Sequence, residues 1–218
     1  MKINRSISLP LDKFIEFALY NKDSGYYMKK NPFGKEGDFI TAPNITRLFS
    51  EIIAIWVITF WKSINSPKKF NIVELGAGNG EMMKVIISTL KNFPECFDNC
   101  NFLIHEKSEL LTKKQQQNLK SEKVTWLDDI KRVNLHPTIF LANEFFDALP
   151  IKQFFKRKDG WVERFVDLKE ENKAEFKDHP ADIKKIEQKL NFKISKNQNI
   201  IEYSPEVFEY LNNICEII

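Results

Sequence analysis

The sequence predicts an α/β fold in which helices cover both faces of a mainly parallel sheet. From residue 70 onward, short runs of β-branched and apolar residues alternate with segments whose apolar side chains recur at helical spacing. The first of these runs stops at three closely spaced glycines, as a strand does before a tight turn. With 218 residues, 43% of them hydrophobic, the chain is expected to form a single domain around one core.

Residues 1–66 are predicted to form a cap of helices and loops before this core. Residues 10–20 repeat apolar side chains at helical spacing, and Asp12 stands near the start of that helix, where the helix dipole favours an acid. Closely spaced turn formers follow, so residues 23–38 predict an ordered loop or a short hairpin. A second apolar helix is predicted to begin at Asn44 and to reach residue 60.

Residues 67–150 are predicted to form a βαβ core. The predicted strands are residues 70–75, 102–106, 124–127 and 138–142, and the predicted helices between them are residues 82–90 and 110–119. Because right-handed crossovers join successive parallel strands, this order predicts that the carboxyl ends of all four strands meet at one edge of the sheet.

Residues 151–218 are predicted to contain a hairpin, a charged segment and a final helix. The two hairpin strands, residues 151–155 and 161–166, are joined across an Asp-Gly turn at residues 158–160. Residues 169–177 and 184–196 are so highly charged that solvated surface is expected there. Ser204 as N-cap and Pro205 at the first helical position predict the last helix, whose apolar face continues to the end of the sequence.

Composition and charge exclude several classes of partner. The 33 basic residues are nearly balanced by 30 acidic ones, so no nucleic-acid partner is expected. No targeting segment or membrane-spanning run is visible, and we expect no membrane insertion. Three cysteines, Cys96, Cys100 and Cys215, are an odd and sparse set that favours a reducing compartment, hence a cytoplasmic location. Cys96, Cys100 and the nearby His105 lack a fourth ligand, so no metal site is predicted.

The three glycines form the first candidate site. Gly76, Gly78 and Gly80 remove a Cβ where a strand turns into a helix, so that backbone N–H groups can approach a ligand. A plain tight turn that closes a βα unit is the alternative. Glu74 favours a cationic ligand, such as the amino group of a methionyl moiety. Glu74 also disfavours a nicotinamide-dependent oxidoreductase, because a dinucleotide fold usually has an apolar residue there and its third glycine where this chain has Glu81.

Acids follow the next two strands at the same predicted edge. Glu106 ends the second strand, where an acid can accept both hydroxyls of a ribose; an acid favoured by a helix N-terminus is the alternative. Asp128 and Asp129 follow the third strand and are predicted to hydrogen-bond an adenine amino group. Ligands of open α/β sheets bind at this edge, which joins the acids and the glycines into one predicted site.

Three further motifs carry a resemblance to a known family. The sequence Asn-Glu-Phe-Phe-Asp-Ala-Leu-Pro at residues 143–150, Asp-Ser-Gly-Tyr-Tyr at 23–27 and Gly-Asp-Phe-Ile-Thr-Ala-Pro at 37–43, together with the glycine turn, closely resemble the MidA-like family of S-adenosylmethionine-dependent methyltransferases. This family is similar to the mitochondrial complex I assembly factor that methylates a protein arginine. The resemblance runs from about residue 9 to 166 and includes Glu106 to Gln115. It departs at Asn44, Arg47 and Ser50, which bear on substrate fit more than on cofactor binding.

The resemblance implies a Rossmann-like class I methyltransferase fold with S-adenosyl-L-methionine as cofactor. It implies methyl transfer to a nitrogen, with a protein substrate for which the family suggests a respiratory complex I subunit. Asn143, Glu144 and Asp147 would lie beside the methyl group, and the two carboxylates would orient a guanidinium; capping and turn hydrogen bonds are the alternative roles. Asp38 and Thr41 would lie on a loop that covers the cofactor.

The end of the sequence sets a competing hypothesis. Family members continue into further strands of the sheet, so we expect this fold to be incomplete at its C-terminal end. The chain would then be a catalytically inactive truncated remnant, or one half of a split gene that dimerises or needs a complementing C-terminal half. An open sheet edge and an uncovered apolar helix face are the physical reasons for that expectation.

Overall fold

The computed structural model describes residues 7–30, 32–34, 37–169 and 173–217, and their contacts group into two compact units. The first unit contains residues 20–148 and 210–217, and the second contains the described part of residues 1–19 together with 149–209. The predicted division of one domain at residues 66 and 150 stays a prediction. Within the described ranges, no helix is both long enough and apolar enough to span a bilayer.

Nine strands and nine α-helices are assigned in these ranges. The strands are β1 (Ile7–Pro10), β2 (Phe70–Leu75), β3 (Cys100–His105), β4 (Val124–Leu127), β5 (Thr138–Leu141), β6 (Lys152–Arg157), β7 (Gly160–Leu168), β8 (Ala174–Pro180) and β9 (Ile200–Tyr203). The helices are α1 (Leu11–Tyr20), α2 (Tyr26–Lys29), α3 (Ala42–Ile45), α4 (Arg47–Ser63), α5 (Glu81–Leu90), α6 (Pro94–Phe97), α7 (Glu109–Asn118), α8 (Ile183–Leu190) and α9 (Pro205–Ile217).

The first unit is built on a four-stranded parallel sheet in the order β4-β3-β2-β5. Every residue of the central strand β2 is buried, as expected for a parallel strand that is covered on both faces. Helices α4 and α5 contribute Val57, Trp61 and Ile86 to the core, which also contains Phe70 and Ile72. The predicted α/β class and its four core strands are confirmed, with strand ends that shift by at most two residues.

The predicted single helix from Asn44 is wrong, because the structure breaks it at Thr46. Helix α3 ends at Ile45 and α4 begins at Arg47. Thr46 is extended, with φ −146° and ψ 135°, and its hydroxyl accepts a hydrogen bond from the backbone N–H of Leu48 at 3.2 Å. Threonine is a strong N-cap, so it starts a new helix where the apolar spacing alone suggested continuity.

The second unit is an antiparallel sheet in the order β1-β7-β6-β9, with β8 also paired to β7. The predicted hairpin is confirmed as β6 and β7, which pair from Phe154 opposite Glu163 to Arg157 opposite Gly160. The charged segment after residue 169 is largely exposed, as expected, yet it supplies β8 and α8. Backbone pairing with β7 holds β8, and composition alone does not show such pairing.

The N-cap of α9 is confirmed, since the Ser204 hydroxyl accepts a hydrogen bond from the N–H of Val207 at 3.2 Å. Phe208 and Leu211 on this helix are each 44% exposed. Among the described strands, β5 pairs only with β2. The incomplete C-terminal end and the need for a second polypeptide stay predictions.

Candidate functional site

The glycine turn lies directly after β2. Gly76, Gly78 and Gly80 have φ values of +66°, +55° and +82°, a region that other residues rarely adopt. The Gly76 N–H donates to the carbonyl of His105 at 2.9 Å, which extends the β2–β3 ladder by one bond. Gly80 is the N-cap of α5, so the first N–H groups of that helix lie beside the turn.

Two aromatic rings pack against this turn. A Cβ on Gly76 would lie 2.7 Å from Cδ2 of Phe145, and a Cβ on Gly78 would lie 3.4 Å from the ring of Phe33. Gly76 is therefore required by the protein's own packing as well as by its backbone conformation. The sequence predicted close approach of a ligand here, and the contact that the structure shows is with a side chain.

A cavity of about 40 Å³ opens beside the turn. It brings together six predicted site residues from three parts of the chain with the glycine turn's own residue Ala77. The predicted residues that line it are Thr41, Glu74, Gly76, Gly78, Asn143 and Glu144, together with the residues Phe33, Pro43, Asn44, Ala77, Asn79 and Met82. Gly80, Asp38, Glu106, Asp128, Asp129 and Asp147 are outside this lining.

Glu74 is the most unusual group in the cavity. It is 3% exposed, and its Oε2 atom has no hydrogen-bond partner among the described residues. Burial raises the pKa of Glu74 to about 8, and the backbone N–H of Met83 opposes this rise. A buried carboxyl group without a partner is costly, so Glu74 favours a cationic donor in the adjacent cavity.

Glu106 follows β3 and accepts hydrogen bonds from the backbone N–H groups of Ser108 and Lys107 and from the side chain of Gln115. Its Oε1 accepts from the N–H of Ser108 at 2.9 Å, and its Oε2 accepts from Nε2 of Gln115 at 3.0 Å. Burial raises the pKa of Glu106, while these hydrogen bonds lower it. The Ser108 hydroxyl caps α7 through Leu111 and donates to the carbonyl of Tyr27 at 2.6 Å. The ribose role of Glu106 stays a prediction.

Gln115 is a residue whose role sequence reasoning missed. Its side chain is completely buried, and its Nε2 also donates to the carbonyl of Gly78 at 2.9 Å. Its Oε1 accepts from Nε1 of Trp126 at 2.9 Å. One amide thus joins the glycine turn, Glu106 and strand β4. The only signal in the sequence was its place in the segment that resembles the family.

A chain of amides ties the loop before α4 to the glycine turn. Asn44 donates to the hydroxyl of Thr41 at 2.9 Å and accepts from Nδ2 of Asn79 at 2.9 Å. Asn118 on α7 donates to the carbonyl of Asn79 at 2.8 Å. Asn44 is a position where this chain departs from the family that it resembles, and its amide both donates to Thr41 and accepts from Asn79.

The other departures from the family lie outside the cavity lining. Arg47 donates to Glu51 at 2.7 Å and to the hydroxyl of Ser88 at 2.9 Å. Ser50 is fully buried, and its hydroxyl has no partner among the described residues.

Asp38 is exposed and accepts hydrogen bonds from Lys30 and Tyr26, which lower its pKa. Its expected place over the cofactor stays a prediction.

The segment after β5 carries the predicted catalytic residues. Asn143 and Glu144 line the cavity, and Glu144 has φ +49°, a conformation that costs a non-glycine residue about 1 kcal/mol. Asp147 is exposed on the short 3-10 turn Phe146–Ala148. Burial and then the charges of Asp147, Glu106 and Glu144 raise the pKa of Tyr27, so this ring lies near all three acids. Sequence reasoning did not single out Tyr27.

Tyr210 on α9 packs against Phe145. The two rings meet edge to face, at 5.1 Å between centroids. The Tyr210 hydroxyl is 2.8 Å from Nε2 of His105, and Nδ1 of His105 is 3.1 Å from the carbonyl of Leu127. Burial lowers the pKa of His105, which favours the neutral ring. Because a carbonyl only accepts, we assign the proton to Nδ1, so that Nε2 accepts from Tyr210.

The two acids after β4 are exposed and engaged locally. Asp128 forms an ion pair with Arg132 at 2.8 Å, and Asp129 accepts a hydrogen bond from the N–H of Lys131 at 2.9 Å. The structure does not bring either carboxylate to the cavity lining, and their adenine role stays a prediction. Across the described ranges, no group of three or more His, Cys, Asp or Glu side chains is placed to hold a metal ion.

Sequence comparison finds relatives in one methyltransferase family. A family model described as "Putative S-adenosyl-L-methionine-dependent methyltransferase" matches residues 52–218. The mitochondrial protein arginine methyltransferase NDUFAF7 of Xenopus laevis is 30% identical over 224 residues, which cover 92% of this chain and 48% of that protein. Its human counterpart is 31% identical over 191 residues, which cover 77% and 43%. The chain therefore spans about half the length of the curated relatives that it matches.

Solved structures agree on the fold. A crystal structure from Burkholderia thailandensis, bound to S-adenosyl-homocysteine, matches with a TM-score of 0.80 and 23% identity over 96% of this chain and 55% of that chain. A native crystal structure from the same organism matches with a TM-score of 0.75. At this identity the likeness concerns the fold alone, and it confirms the expected methyltransferase-like α/β architecture.

Proposed function

Because the chain belongs to this family of S-adenosyl-L-methionine-dependent methyltransferases, we propose that it binds S-adenosyl-L-methionine beside the glycine turn and methylates a protein arginine. The observation that carries the proposal is Glu74, a buried carboxyl with an unpaired oxygen at the edge of a cavity formed by Gly76 and Gly78. The amino group of a methionyl moiety is a cation that would satisfy that oxygen.

The remaining cofactor contacts follow from the same edge of the sheet. Glu106 would accept the ribose hydroxyls, and the N-terminus of α5 would lie close to the methionyl carboxylate. The enclosed space of about 40 Å³ is far smaller than the roughly 300 Å³ that a site for a small-molecule ligand needs. Phe33 is the ring on the covering loop that packs on the turn, so we expect it to move when the cofactor binds.

S-adenosyl-L-methionine would supply a methyl group on a sulfonium, and a guanidino nitrogen would form the new N–C bond as the S–C bond breaks and leaves its electron pair on sulfur. The methylated nitrogen would then lose its extra proton to the carboxylate of Glu144 or Asp147. Glu144 and Asp147 would hold the guanidinium by charge-assisted hydrogen bonds, and Asn143 would orient it. The strained backbone of Glu144 supports this role, because such strain is retained where the surrounding structure needs that conformation.

The acceptor is proposed from the relatives. Two of them are named protein arginine methyltransferases, and a respiratory complex I subunit stays the family-implied target. The cytoplasmic location favoured by the cysteine content also stays a prediction, and the relatives are named mitochondrial.

Calorimetry with S-adenosylhomocysteine tests the cofactor site. Glu74→Gln keeps the size of the side chain and removes its charge, so we expect affinity to fall by about tenfold or more. Glu95→Gln is the matched control, since Glu95 is exposed on α6 outside the cavity lining, and the affinity of this variant should stay at the wild-type level. Equal affinity in wild type and Glu74→Gln, or a thermal shift with NAD, would refute the proposal.

A further inference from the structure

We propose that Gln115 is a positioning residue that holds the Glu106 carboxylate in the orientation needed to receive the ribose hydroxyls, a role that rests on the proposed function. Gln115 is not among the residues that line the cavity. It acts through Glu106, and it ties that acid to the glycine turn.

The orientation of the Gln115 amide is set by its partners. Trp126 offers only an N–H donor, so it must meet the amide oxygen of Gln115. The carbonyl of Gly78 and the carboxylate of Glu106 only accept, so both must meet the amide nitrogen. If the amide were flipped, its nitrogen would face the N–H of Trp126 and its oxygen would face the Gly78 carbonyl and the Glu106 carboxylate, and none of the three hydrogen bonds could form. Gln115 is therefore held in one orientation.

This amide completes the fixation of Glu106. The backbone N–H of Ser108 holds Oε1 and Gln115 holds Oε2, so both carboxylate oxygens are tied to the start and the middle of α7. Gln115 is the side-chain donor among these ties, and its loss leaves the carboxylate held by the backbone N–H groups of Ser108 and Lys107 at the start of α7. The two carboxylate oxygens together offer about four lone-pair sites, so acceptor capacity remains for a ribose hydroxyl. The site is therefore organised before the ligand arrives, which lowers the entropic cost of binding.

The same nitrogen also fixes the distance between two parts of the site. It donates to Gly78 at 2.9 Å and to Glu106 at 3.0 Å, so the turn and the acid are joined through one atom. A ligand that touches both the glycine turn and Glu106 would have to match this spacing. S-adenosylhomocysteine, whose ribose lies between its base and its amino-acid chain, has the chemistry for such a bridge.

The test compares two probes in calorimetry: S-adenosylhomocysteine and its analogue with a 2′,3′-dideoxyribose. Gln115→Met preserves length and removes both donated hydrogen bonds. We expect this variant to bind S-adenosylhomocysteine about tenfold more weakly and the dideoxy analogue less than about threefold more weakly, because only the former needs an oriented Glu106. A merely structural role would weaken both probes equally.

Asn118→Leu is the matched control. Asn118 lies on the same helix and also donates an amide N–H to a carbonyl of the glycine turn, that of Asn79, without touching Glu106. Any loss in this variant should be equal for the two probes. If Gln115→Met does not fold, Trp126→Phe releases the amide oxygen of Gln115 and should produce a smaller loss that is again selective for S-adenosylhomocysteine.

The outcomes separate the inference from its premise. If the wild type binds both probes equally, Glu106 does not receive the ribose, and both the ribose assignment and the positioning role fail. If the wild type prefers S-adenosylhomocysteine and Gln115→Met loses affinity equally for both probes, the ribose assignment stands and the positioning role is overturned. The Glu74→Gln measurement is independent of either result.

Discussion

The cofactor side and the acceptor side of the proposed site are built in different ways. Glu74 lies on strand β2, Glu106 directly follows β3, and Gln115 on α7 ties Glu106 to the glycine turn. Glu144 and Asp147 are exposed on a turn whose shape depends on one strained residue and one packed ring. The difference indicates that the fold itself positions the residues that contact the cofactor. The residues that would hold the acceptor arginine are positioned only when the acceptor binds.

The largest expected effect is a loss of methyl transfer without a loss of cofactor affinity. In a chain that shows methyl transfer, Glu144→Gln and Asp147→Asn should each lower turnover by about 100-fold or more, because the guanidinium loses a charged partner in the transition state. Affinity for S-adenosylhomocysteine should change by less than about twofold, since neither carboxylate is assigned to the cofactor. Asp159→Asn on the hairpin turn is the control, and near-wild-type turnover in the site variants would remove their assigned role.

The second prediction concerns the contact between Gly76 on the cofactor side and the Phe145 ring on the acceptor side. Gly76→Ala places a Cβ at 2.7 Å from Phe145 and strains a backbone with φ +66°, so we expect a loss of about 2–4 kcal/mol in stability. The double variant Gly76→Ala with Phe145→Leu should recover the steric part of that loss. Denaturant unfolding measures both, and a single variant as stable as the wild type would show that the ring moves away without cost.

The third prediction concerns pH and the cofactor side. Glu74 is protonated below its pKa of about 8, and a cationic amino group binds the ionised form. Binding therefore releases a proton, and affinity for S-adenosylhomocysteine should rise by up to ~10-fold per pH unit from about pH 6 to about pH 8 and then level off. Calorimetry across that range measures it. The raised pKa of Glu106 also makes the affinity rise with pH. Glu74→Gln should therefore reduce the dependence of affinity on pH without abolishing it.

Stability of the empty protein should change with the opposite sign. Folded Glu74 keeps its proton to a higher pH than the ordinary value of 4.5, so the free energy of unfolding falls as pH rises from about 4.5 to about 8. Melting curves at pH 7 and pH 8.5 avoid the contribution of His105, whose lowered pKa matters only below about 6.5. A wild-type slope that persists in Glu74→Gln would assign the titration to another group.

The parallel core was predictable because each of its strands is a short run of mostly apolar and β-branched residues. Strand β1 was not, since its pairing of Ile7 with Leu168 joins residues that are far apart in the sequence. The glycine turn and Glu74 were predictable from one local pattern. Gln115 was not, because a glutamine in a helix has no periodic signal and its three hydrogen bonds exist only in the folded chain.

The smallest expected effect tests how the acceptor turn is supported. Tyr210→Phe removes the hydroxyl that donates to Nε2 of His105 and leaves the ring that packs on Phe145. A buried ring nitrogen without its donor should cost about 1 kcal/mol of unfolding free energy. Because the ring contact remains, affinity for S-adenosylhomocysteine and methyl transfer should both stay within about twofold of the wild type.

Tyr210→Ala is the informative companion, since it removes the ring as well. Phe145 then loses its edge-to-face contact, worth about 0.5–1.5 kcal/mol, and the turn that carries Glu144 loses its support. Methyl transfer should fall more than cofactor affinity does, because Gly76, Glu74 and Glu106 are held by the sheet and by α7. If methyl transfer and cofactor affinity fall by the same factor, the acceptor and cofactor sides depend on the same packing, and the contrast between them does not hold.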